Sequence, residues 1–152
     1  MTESPSTTSR GMEMTEQEVD AFLKENGYGT LSLADAGNAY AVPISFGYDG
    51  ERLFMYLVEF GNESEKLDHF DATETGCLTT YQVESQYDWA STIVRGELVA
   101  VADTDRKYME EVMESNAWHP SLFPPAEPTT GIDRVELVIE EATGRKGIEY
   151  GE

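Results

Sequence analysis

Three apolar runs separated by two short turn sequences constrain the fold more strongly than any other feature of this chain. The runs are GTLSLA, AYAVPISF and RLFMYLV, and the turns between them are DAGN and YDGE, all within residues 29–58. An Asp-Gly pair between two apolar runs, here Asp49 and Gly50, is one of the strongest short-range indications of a β-hairpin. We therefore predict three consecutive antiparallel strands.

Further helix and strand patterns surround this meander. TEQEVDAFLKENG, residues 15–27, predicts a helix that begins with a capping box of Thr15 and Glu18. Two more helices and three more strands are predicted, the helices at residues 64–70 and 103–116 and the strands at residues 76–83, 89–102 and 134–144. Many strands, short turns and few helices predict a mainly β fold, a small antiparallel barrel with helices covering its open ends.

Two residues mark irregular points in these strands. Pro43 has no amide hydrogen, so it predicts either an edge position or a bulge in its strand. Gly96, inside the long strand at residues 89–102, predicts a bend. Edge prolines and bulges leave backbone groups free, and such positions often border ligands. The region around Pro43 is therefore a candidate binding site.

A net charge of −20, from 30 acidic and 10 basic residues spread along the chain, narrows the choice of partners. The mean field repels phosphate, so we expect no nucleic acid and no membrane partner. The composition is typical of halophilic proteins adapted to multimolar salt. We expect such a fold to loosen in dilute buffer, where the repulsion between carboxylates is less screened. Solubility alone is the other explanation of the charge.

Length and the lack of targeting segments predict one domain in the cytoplasm. A chain of 152 residues is long enough to bury one core. We expect a disordered leader at residues 1–12 and a single domain at residues 13–152. Residues 1–11 contain no apolar stretch of signal-peptide length, and no run of the sequence approaches a membrane span.

Motifs for catalysis by side chains alone are absent from the sequence. The chain has two histidines, no HExxH sequence, no GxSxG elbow and no glycine-rich phosphate loop. Cys77, the only cysteine, is interpreted as a small buried residue of a strand, and a disulfide within the chain or a thiolate metal cluster is excluded. Either the chain is not an enzyme, or a bound cofactor carries its chemistry.

The sequence GNESEK, residues 61–66, contains the parts of a phosphate-binding site. Ser64 is placed to cap the helix predicted at residues 64–70, and a helix N-terminus attracts anions. Lys66, one of four lysines, adds a full positive charge that can fold back over this terminus. On these residues alone, a capped surface helix with a solvated lysine remains the alternative.

In order and spacing these segments resemble the pyridoxamine 5′-phosphate oxidase-like, FMN-binding split-barrel family, over residues 15–147. The resemblance rests on the strand that contains Val42-Pro43, on the Asp-Gly hairpin after it, on the Ser-x-Lys at residues 64–66, and on WASTIVRGELVAV with its Val-x-Gly. EEATGRKG, residues 140–147, is similar to the closing Thr-Gly-Arg of the nitroimidazole-reductase-like branch.

The resemblance implies an antiparallel split β-barrel that binds FMN between the two chains of a homodimer. Ser64 and Lys66 would hold the FMN phosphate, and Arg52 or Arg95 could assist them. The other implied cofactor-binding residues are Pro43, Ile44 and Ser45 along the ring edge, Tyr56 and Leu57 under the ribityl-phosphate arm, and Trp89, Ser91 and Thr92 from the long strand.

The resemblance also implies an FMN-dependent oxidoreductase that passes electrons from a reduced nicotinamide to a small organic acceptor or to oxygen. YAVPISF lacks the charged residues of the founding oxidase's phosphate-binding strand, so we expect a small-molecule substrate other than pyridoxamine phosphate. Trp118 and His119 belong either to a packed loop or to a lid over the flavin, in which His119 would be the catalytic proton donor. A deazaflavin-dependent reductase and a non-catalytic flavin-binding or sensing module are the alternatives.

Overall fold

A closed ring of antiparallel strands forms the body of the protein in the computed structural model, which describes residues 11–59, 75–116 and 131–151. The described strands are β1 (Met12–Glu13), β2 (Tyr28–Asp35), β3 (Asn38–Tyr48), β4 (Leu53–Glu59), β5 (Gly76–Ser85), β6 (Asp88–Ala100) and β7 (Gly131–Lys146). Their order in the sheet is β1-β7-β4-β3-β2-β5-β6, and β7 also pairs with β6. That last pairing closes the sheet, so the predicted antiparallel split barrel is confirmed.

Period-two alternation along the strands supplies the interior of the barrel. Successive side chains of a strand point to opposite faces, so every second residue can be buried. On β3 the inward set is Val42, Ile44 and Phe46, all buried. The largest side chains without exposure in this core include Phe46, Leu23, Leu31, Leu53, Met55, Leu78 and Leu137.

Pro43 lies where the barrel splits between β3 and β4. β3 pairs with β2 from Asn38 to Ser45, but it pairs with β4 only from Phe46 to Tyr48. Among the described residues, no strand covers the second edge of residues 38–45, so the prediction of an edge position is confirmed. The alternative, a bulge, is wrong because the β2–β3 register runs through Thr30↔Pro43 without a shift.

Gly96 lies at a register shift between the two longest strands. Arg95 pairs with Glu141 and Gly96 pairs with Ile139, so Glu140 is an extra residue on β7. A bulge of this kind bends the strands, and the predicted irregularity at Gly96 is confirmed. A Cβ atom on Gly96 would overlap the carbonyl oxygen of Val138, so only glycine allows the two backbones to come this close.

The first helix, α1 (Glu16–Asn26), begins and ends as its sequence predicts. Thr15 Oγ1 accepts a hydrogen bond from the Glu18 amide at 3.1 Å, and the Thr15 amide donates to Glu18 Oε1 at 2.9 Å. Gly27 adopts a φ of +70° and ends the helix. Met12, at the predicted end of the leader, belongs to β1 and pairs with Lys146 of β7. The described fold therefore includes a residue before residue 13.

The second helix, α2 (Arg106–Asn116), follows a 3₁₀ turn at Asp103–Asp105 and packs on the outside of the barrel. Phe54, on the outer face of β4, forms a small core with the helix residues Met109, Val112 and Met113. All four side chains of this cluster are buried. The helix therefore covers an outer face of β3 and β4 rather than an open end of the barrel, where the sequence predicted it.

Arg52 joins the β3–β4 hairpin to β7 and to the 3₁₀ turn. Its guanidinium donates hydrogen bonds to Glu136 at 2.8 and 3.1 Å and to Asp105 at 3.2 Å. The same group lies 4.9 Å from the centre of the Phe54 ring and 5.8 Å from that of Tyr108. The hydrogen bonds to Glu136 raise the pKa of Arg52 above its ordinary value, although burial opposes them. Arg52 is therefore permanently charged and committed to these partners.

Replacing Asp49 by asparagine is expected to destabilise the protein at neutral pH, because the Asp49 carboxylate accepts three charge-assisted hydrogen bonds. Water partly screens this carboxylate, so the expected loss is only about 1 kcal/mol. The Asp49 carboxylate accepts from the amides of Glu51 at 2.8 Å and Arg52 at 2.6 Å, and from the Tyr108 hydroxyl. Burial raises the pKa of Asp49, but these hydrogen bonds outweigh it and lower the pKa below its ordinary value.

The sign of the pH dependence follows from this lowered pKa. A carboxyl whose pKa is lower in the folded state stabilises the fold above its unfolded pKa of about 4, and the stabilisation is lost as the pH falls through the folded value. Urea unfolding of the wild type and of Asp49→Asn should therefore differ at pH 7, and the difference should shrink progressively as the pH falls below ~4. Tyr108→Phe should show a smaller difference with the same trend. Equal differences at neutral and acid pH would contradict this assignment.

Two predicted elements fall outside the described residues. These are the short helix at residues 64–70 and the segment at residues 117–130 that contains Trp118 and His119. Neither helix of the described part is long and apolar enough to cross a membrane.

Candidate functional site

A concavity of about 530 Å³ lies on the outer face of three adjacent strands, and we call it the β2–β3–β5 groove. Its lining is Tyr28, Gly29, Thr30, Pro43, Thr79, Tyr81, Gln82, Val83 and Glu84. Thr30 pairs with Pro43 on one side and with Thr79 on the other, so these three side chains form one row across the sheet. The groove thus includes the open edge at Pro43, which the sequence indicates as a candidate site.

The rim of the groove is unusually apolar for an outer face. Tyr28 is 40% exposed, Tyr81 is 57% exposed and Val83 is 66% exposed. Exposed aromatic and aliphatic side chains that lie together mark surfaces for ligands or for other chains. Tyrosine is suited to such a surface because its ring stacks on planar groups while its hydroxyl stays hydrated.

A buried polar network holds two residues of the groove in place. Asn26, at the end of α1, is 2% exposed, and its amide donates to the Tyr28 carbonyl at 3.3 Å and to the Thr80 hydroxyl. The Thr80 hydroxyl donates to the same carbonyl at 2.6 Å, and Gln82 Nε2 donates to Asn26 Oδ1 at 2.6 Å. Because the network links α1, β2 and β5, it positions the backbone at Tyr28 and the side chain of Gln82 before any ligand binds.

On β3, the structure separates the three predicted site residues by the face to which they point. Pro43 is exposed and lines the groove. Ser45 lies on the same outer face but is buried, and its hydroxyl donates to the Gly27 carbonyl at 3.3 Å. Ile44 points into the barrel core. Ile44 could therefore contact a cofactor only through its backbone.

On β6, the three predicted residues also divide between the two faces. Ser91 pairs with Tyr81 and lies beside the groove, half-buried. Thr92 is buried, and its hydroxyl donates to the Thr80 carbonyl at 3.5 Å. Trp89 lies at the end of the barrel, where its ring sits so close to Gly11 and Gly147 that a Cβ atom on either would come within 2.8 Å of it. Ser91 is thus the β6 residue whose side chain is best placed to reach the groove.

Tyr56 and Leu57 lie on β4, across the split from Pro43. Leu57 is buried in the barrel core, so its side chain is not available to a ligand. Tyr56 points outward and pairs with Arg134 of β7, whose guanidinium is 5.9 Å from the centre of its ring. Burial raises the pKa of Tyr56, which keeps its hydroxyl protonated.

Ser64, Lys66 and His119 lie outside the described residues, so their roles remain predictions. The chain leaves β4 at Glu59, on the side of the barrel split, five residues before Ser64. Arg52 and Arg95, the other cations considered for a phosphate, already have partners. Arg52 binds Glu136 and Asp105, and Arg95 binds Glu141 at 3.2 Å. Neither is therefore a good second ligand for an anion.

Several groove residues were missed by the sequence analysis, namely Tyr28, Thr30, Thr79, Tyr81 and Gln82. Alternation along TLSL and LTTYQV could have placed them on outer faces, but the pairing of β2 with β5 joins segments about 50 residues apart and has no local signature. In the described part of the chain, no group of three or more metal-ligating side chains is close enough to hold a metal ion.

Solved structures of other proteins share this fold. An FAD-binding protein from Mesorhizobium loti has a TM-score of 0.70 at 20% identity, covering 88% of this chain and 95% of its own. An FAD-binding protein from Mycobacterium smegmatis has a TM-score of 0.67 at 14% identity, covering 90% and 98%. A candidate 5-nitroimidazole antibiotic resistance protein from Bacteroides thetaiotaomicron has a TM-score of 0.66 at 16% identity, covering 88% and 85%.

Identities this low are informative about the fold alone, and the comparison with curated proteins found no match. The match to a family is stronger because it rests on the sequence itself. The family model described as pyridoxamine 5′-phosphate oxidase matches residues 15–146, which include every described strand after β1 and both described helices. The chain therefore belongs to the pyridoxamine 5′-phosphate oxidase family.

Proposed function

We propose that the chain binds a flavin, in the form of FMN, with the flavin ring in the β2–β3–β5 groove. The observation that supports this most directly is the 530 Å³ groove beside the edge of β3 that no strand of the described ranges covers. Its volume lies within the roughly 300–1,000 Å³ typical of small-molecule sites. A planar ring can stack against Tyr28 or Tyr81 and can form hydrogen bonds with the backbone at the edge of β3 that no described strand covers. The residues present therefore fit the ring.

A flavin is also supported by the family and by the FAD-binding proteins that share the fold. The choice of FMN over FAD rests on a separate argument. It follows the resemblance at Ser64 and Lys66, which implies a terminal phosphate. With Arg52 and Arg95 held by acidic partners, Lys66 would make the main cationic contact with that phosphate.

We propose that a second copy of the chain covers the groove, so that each flavin lies in a homodimer interface. Tyr81 and Val83 of β5 are more than half exposed, and Tyr87, in the turn after β5, is 46% exposed. Exposed apolar side chains at neighbouring positions are costly to leave in water, and a second copy would bury them together with one face of the ring.

The proposed activity is electron transfer from a reduced nicotinamide to a small organic acceptor or to oxygen. A bound flavin supplies this chemistry, because its ring accepts a hydride and passes the electrons on. The chain would hold the phosphate with Lys66, orient the ring along β3 and exclude water from one face. His119 is proposed as the proton donor to the reduced acceptor.

Titration of FMN into the protein, in the multimolar salt expected to keep it folded, tests the phosphate contact. Lys66→Ala should weaken FMN binding roughly 10- to 100-fold, since one charge-assisted contact is lost. Lys107→Ala is the matched control, because Lys107 is an exposed lysine of α2. The measurement is the quenching of flavin fluorescence. Unchanged affinity in Lys66→Ala would refute the assignment of Lys66.

A second variant, Tyr81→Ala, tests the groove rather than the phosphate site, and it should weaken FMN binding several-fold through loss of stacking. Binding of FAD with equal or higher affinity than FMN would overturn the choice of FMN. A purified protein whose chromophore absorbs at shorter wavelength than an oxidised flavin would favour a deazaflavin. Protein that is colourless and takes up no flavin would favour a barrel without a cofactor.

A further inference from the structure

The side-chain amide of Gln82 lies in the wall of the β2–β3–β5 groove, at the point where β2 and β5 separate. The pairing of these two strands ends at Thr30 and Thr79. Beyond this pair, the strands are joined by the buried network around Asn26 instead of by backbone hydrogen bonds. Gln82 is exposed at this end of the groove, so a ligand in the groove can contact its amide.

The groups around Asn26 allow its side-chain amide only one orientation. The Tyr28 carbonyl can only accept a hydrogen bond, so the Asn26 atom 3.3 Å from it is the nitrogen Nδ2. The Thr80 hydroxyl donates its single proton to the same carbonyl at 2.6 Å, so its oxygen accepts from Asn26 Nδ2 as well. Both contacts therefore direct the other end of the amide, the oxygen Oδ1, toward Gln82.

The orientation of the Gln82 amide follows from that of Asn26. Asn26 Oδ1 can only accept, so the Gln82 atom that lies 2.6 Å from it is the nitrogen Nε2. A reversed Gln82 amide would place two oxygen acceptors against each other, which is unfavourable. The remaining atom, Oε1, is an acceptor with no hydrogen-bond partner in the part of the chain that the structure describes. The groove wall therefore presents a hydrogen-bond acceptor whose orientation is fixed before a ligand binds.

A fixed acceptor restricts how a flavin ring can lie in the groove. The oxidised ring has one N–H group, at N3 of its pyrimidine ring, whereas its other polar ring atoms and its two carbonyl oxygens can only accept. Any other polar atom of the ring placed against Gln82 Oε1 would meet an acceptor and lose its hydrogen bond with water. The N3–H group is therefore the part of the ring that this end of the groove fits.

We propose that Gln82 accepts a hydrogen bond from the N3–H group of the flavin and thereby determines which end of the ring lies between β2 and β5. Asn26 contributes by fixing the orientation of the Gln82 amide. This assignment rests on the proposed flavin site, and it adds the residue that distinguishes the pyrimidine end of the ring from its apolar end.

Titration of FMN and of its N3-methyl analogue into the full chain, in multimolar salt, tests the assignment through flavin fluorescence. The wild type should bind FMN about 3- to 10-fold more tightly than the analogue, because methylation removes the N3–H donor. Gln82→Ala should weaken FMN by a similar factor and should bind the two flavins equally. A merely structural role of Gln82 would weaken both flavins alike and leave the preference for FMN intact.

Two further variants separate the hydrogen bond from side-chain volume and from general effects of substitution. Gln82→Met keeps the length of the side chain without its polar atoms, and it should lose the preference for FMN as Gln82→Ala does. Gln17→Ala is the matched control, because Gln17 is an exposed glutamine of α1 that does not line the groove. This variant should keep both the affinity and the preference of the wild type.

The failure of this assignment can be distinguished from that of the flavin site. If Gln82→Ala binds FMN and still prefers it to the N3-methyl analogue as strongly as the wild type does, the assignment of Gln82 is overturned and the flavin site stands. Equal binding of the two flavins by the wild type would overturn the assignment in the same way. If the wild type binds neither flavin, the proposed flavin site is itself wrong, and the role of Gln82 is refuted with it.

Discussion

Replacing Gly96 by alanine is expected to lower the free energy of unfolding by at least about 3 kcal/mol, because the added methyl group has no room. It would overlap the Val138 carbonyl oxygen and come within 3.2 Å of Ile139 Cα. These are backbone atoms of the neighbouring strand, so no side chain can rotate away to relieve the contact. The β6–β7 pairing closes the barrel, and the strain would fall on that closure.

Urea unfolding in high salt, followed by the loss of tryptophan fluorescence, measures this effect. Gly37→Ala is the matched control. Gly37 has a φ of +87° in the β2–β3 turn, and a Cβ there would meet no atom within 4 Å. Its substitution should cost only about 1–2 kcal/mol, the strain of a left-handed conformation. If Gly96→Ala costs no more than Gly37→Ala, the close approach of β6 and β7 at Val138 is not as the structure has it.

Replacing Phe54 by alanine is expected to destabilise the protein by about 3–5 kcal/mol, the usual range for removing a fully buried aromatic ring. Phe54 has no exposure and fills the interface between β4 and α2. Its ring also lies under the Arg52 guanidinium at 4.9 Å and meets the Tyr108 ring edge-on at 6.1 Å. The substitution therefore leaves a cavity under α2 and removes the surface on which Arg52 rests.

The same urea experiment distinguishes packing from the aromatic contacts. Phe54→Leu keeps most of the apolar volume, so its packing cost should be less than about 1.5 kcal/mol. Loss of the contact with Arg52 adds to this cost. Because α2 ends at Asn116, three residues before His119, loosened docking of α2 should also lower any flavin-dependent turnover. A cost below 1 kcal/mol for Phe54→Ala would contradict the docking of α2 on β4.

Local elements of this fold could be predicted because their causes lie within a few residues. The capping box of Thr15 and Glu18 specifies where α1 begins, and Asp49-Gly50 specifies the β3–β4 turn. Pro43 and Gly96 were correctly predicted as irregular positions, since a missing amide hydrogen and a missing side chain restrict the backbone directly. The bulge at Pro43 was wrong because an edge position satisfies the proline equally well, and only the neighbouring strand decides between them.

The candidate site could be predicted only in part. Side chains alternate between the two faces of a strand, so an outward Pro43 predicts an inward Ile44. The same alternation predicts that Leu57 and Thr92 also point inward. That Thr30 lies between Pro43 and Thr79 in one row could not be known, because their pairing depends on which strands meet when the sheet closes. The commitment of Arg52 to Glu136, 84 residues away, had no trace in the sequence either.

The sequence by itself determined the described strands after β1, the two described helices, the hairpins and the family, because these depend on period-two and helical patterns and on short motifs read along the chain. The tertiary structure alone decided that β7 pairs with both β4 and β6 and that a groove opens beside β3. Those features arise from contacts between distant segments. Such contacts form when the whole apolar surface is buried at once, and no local pattern encodes them.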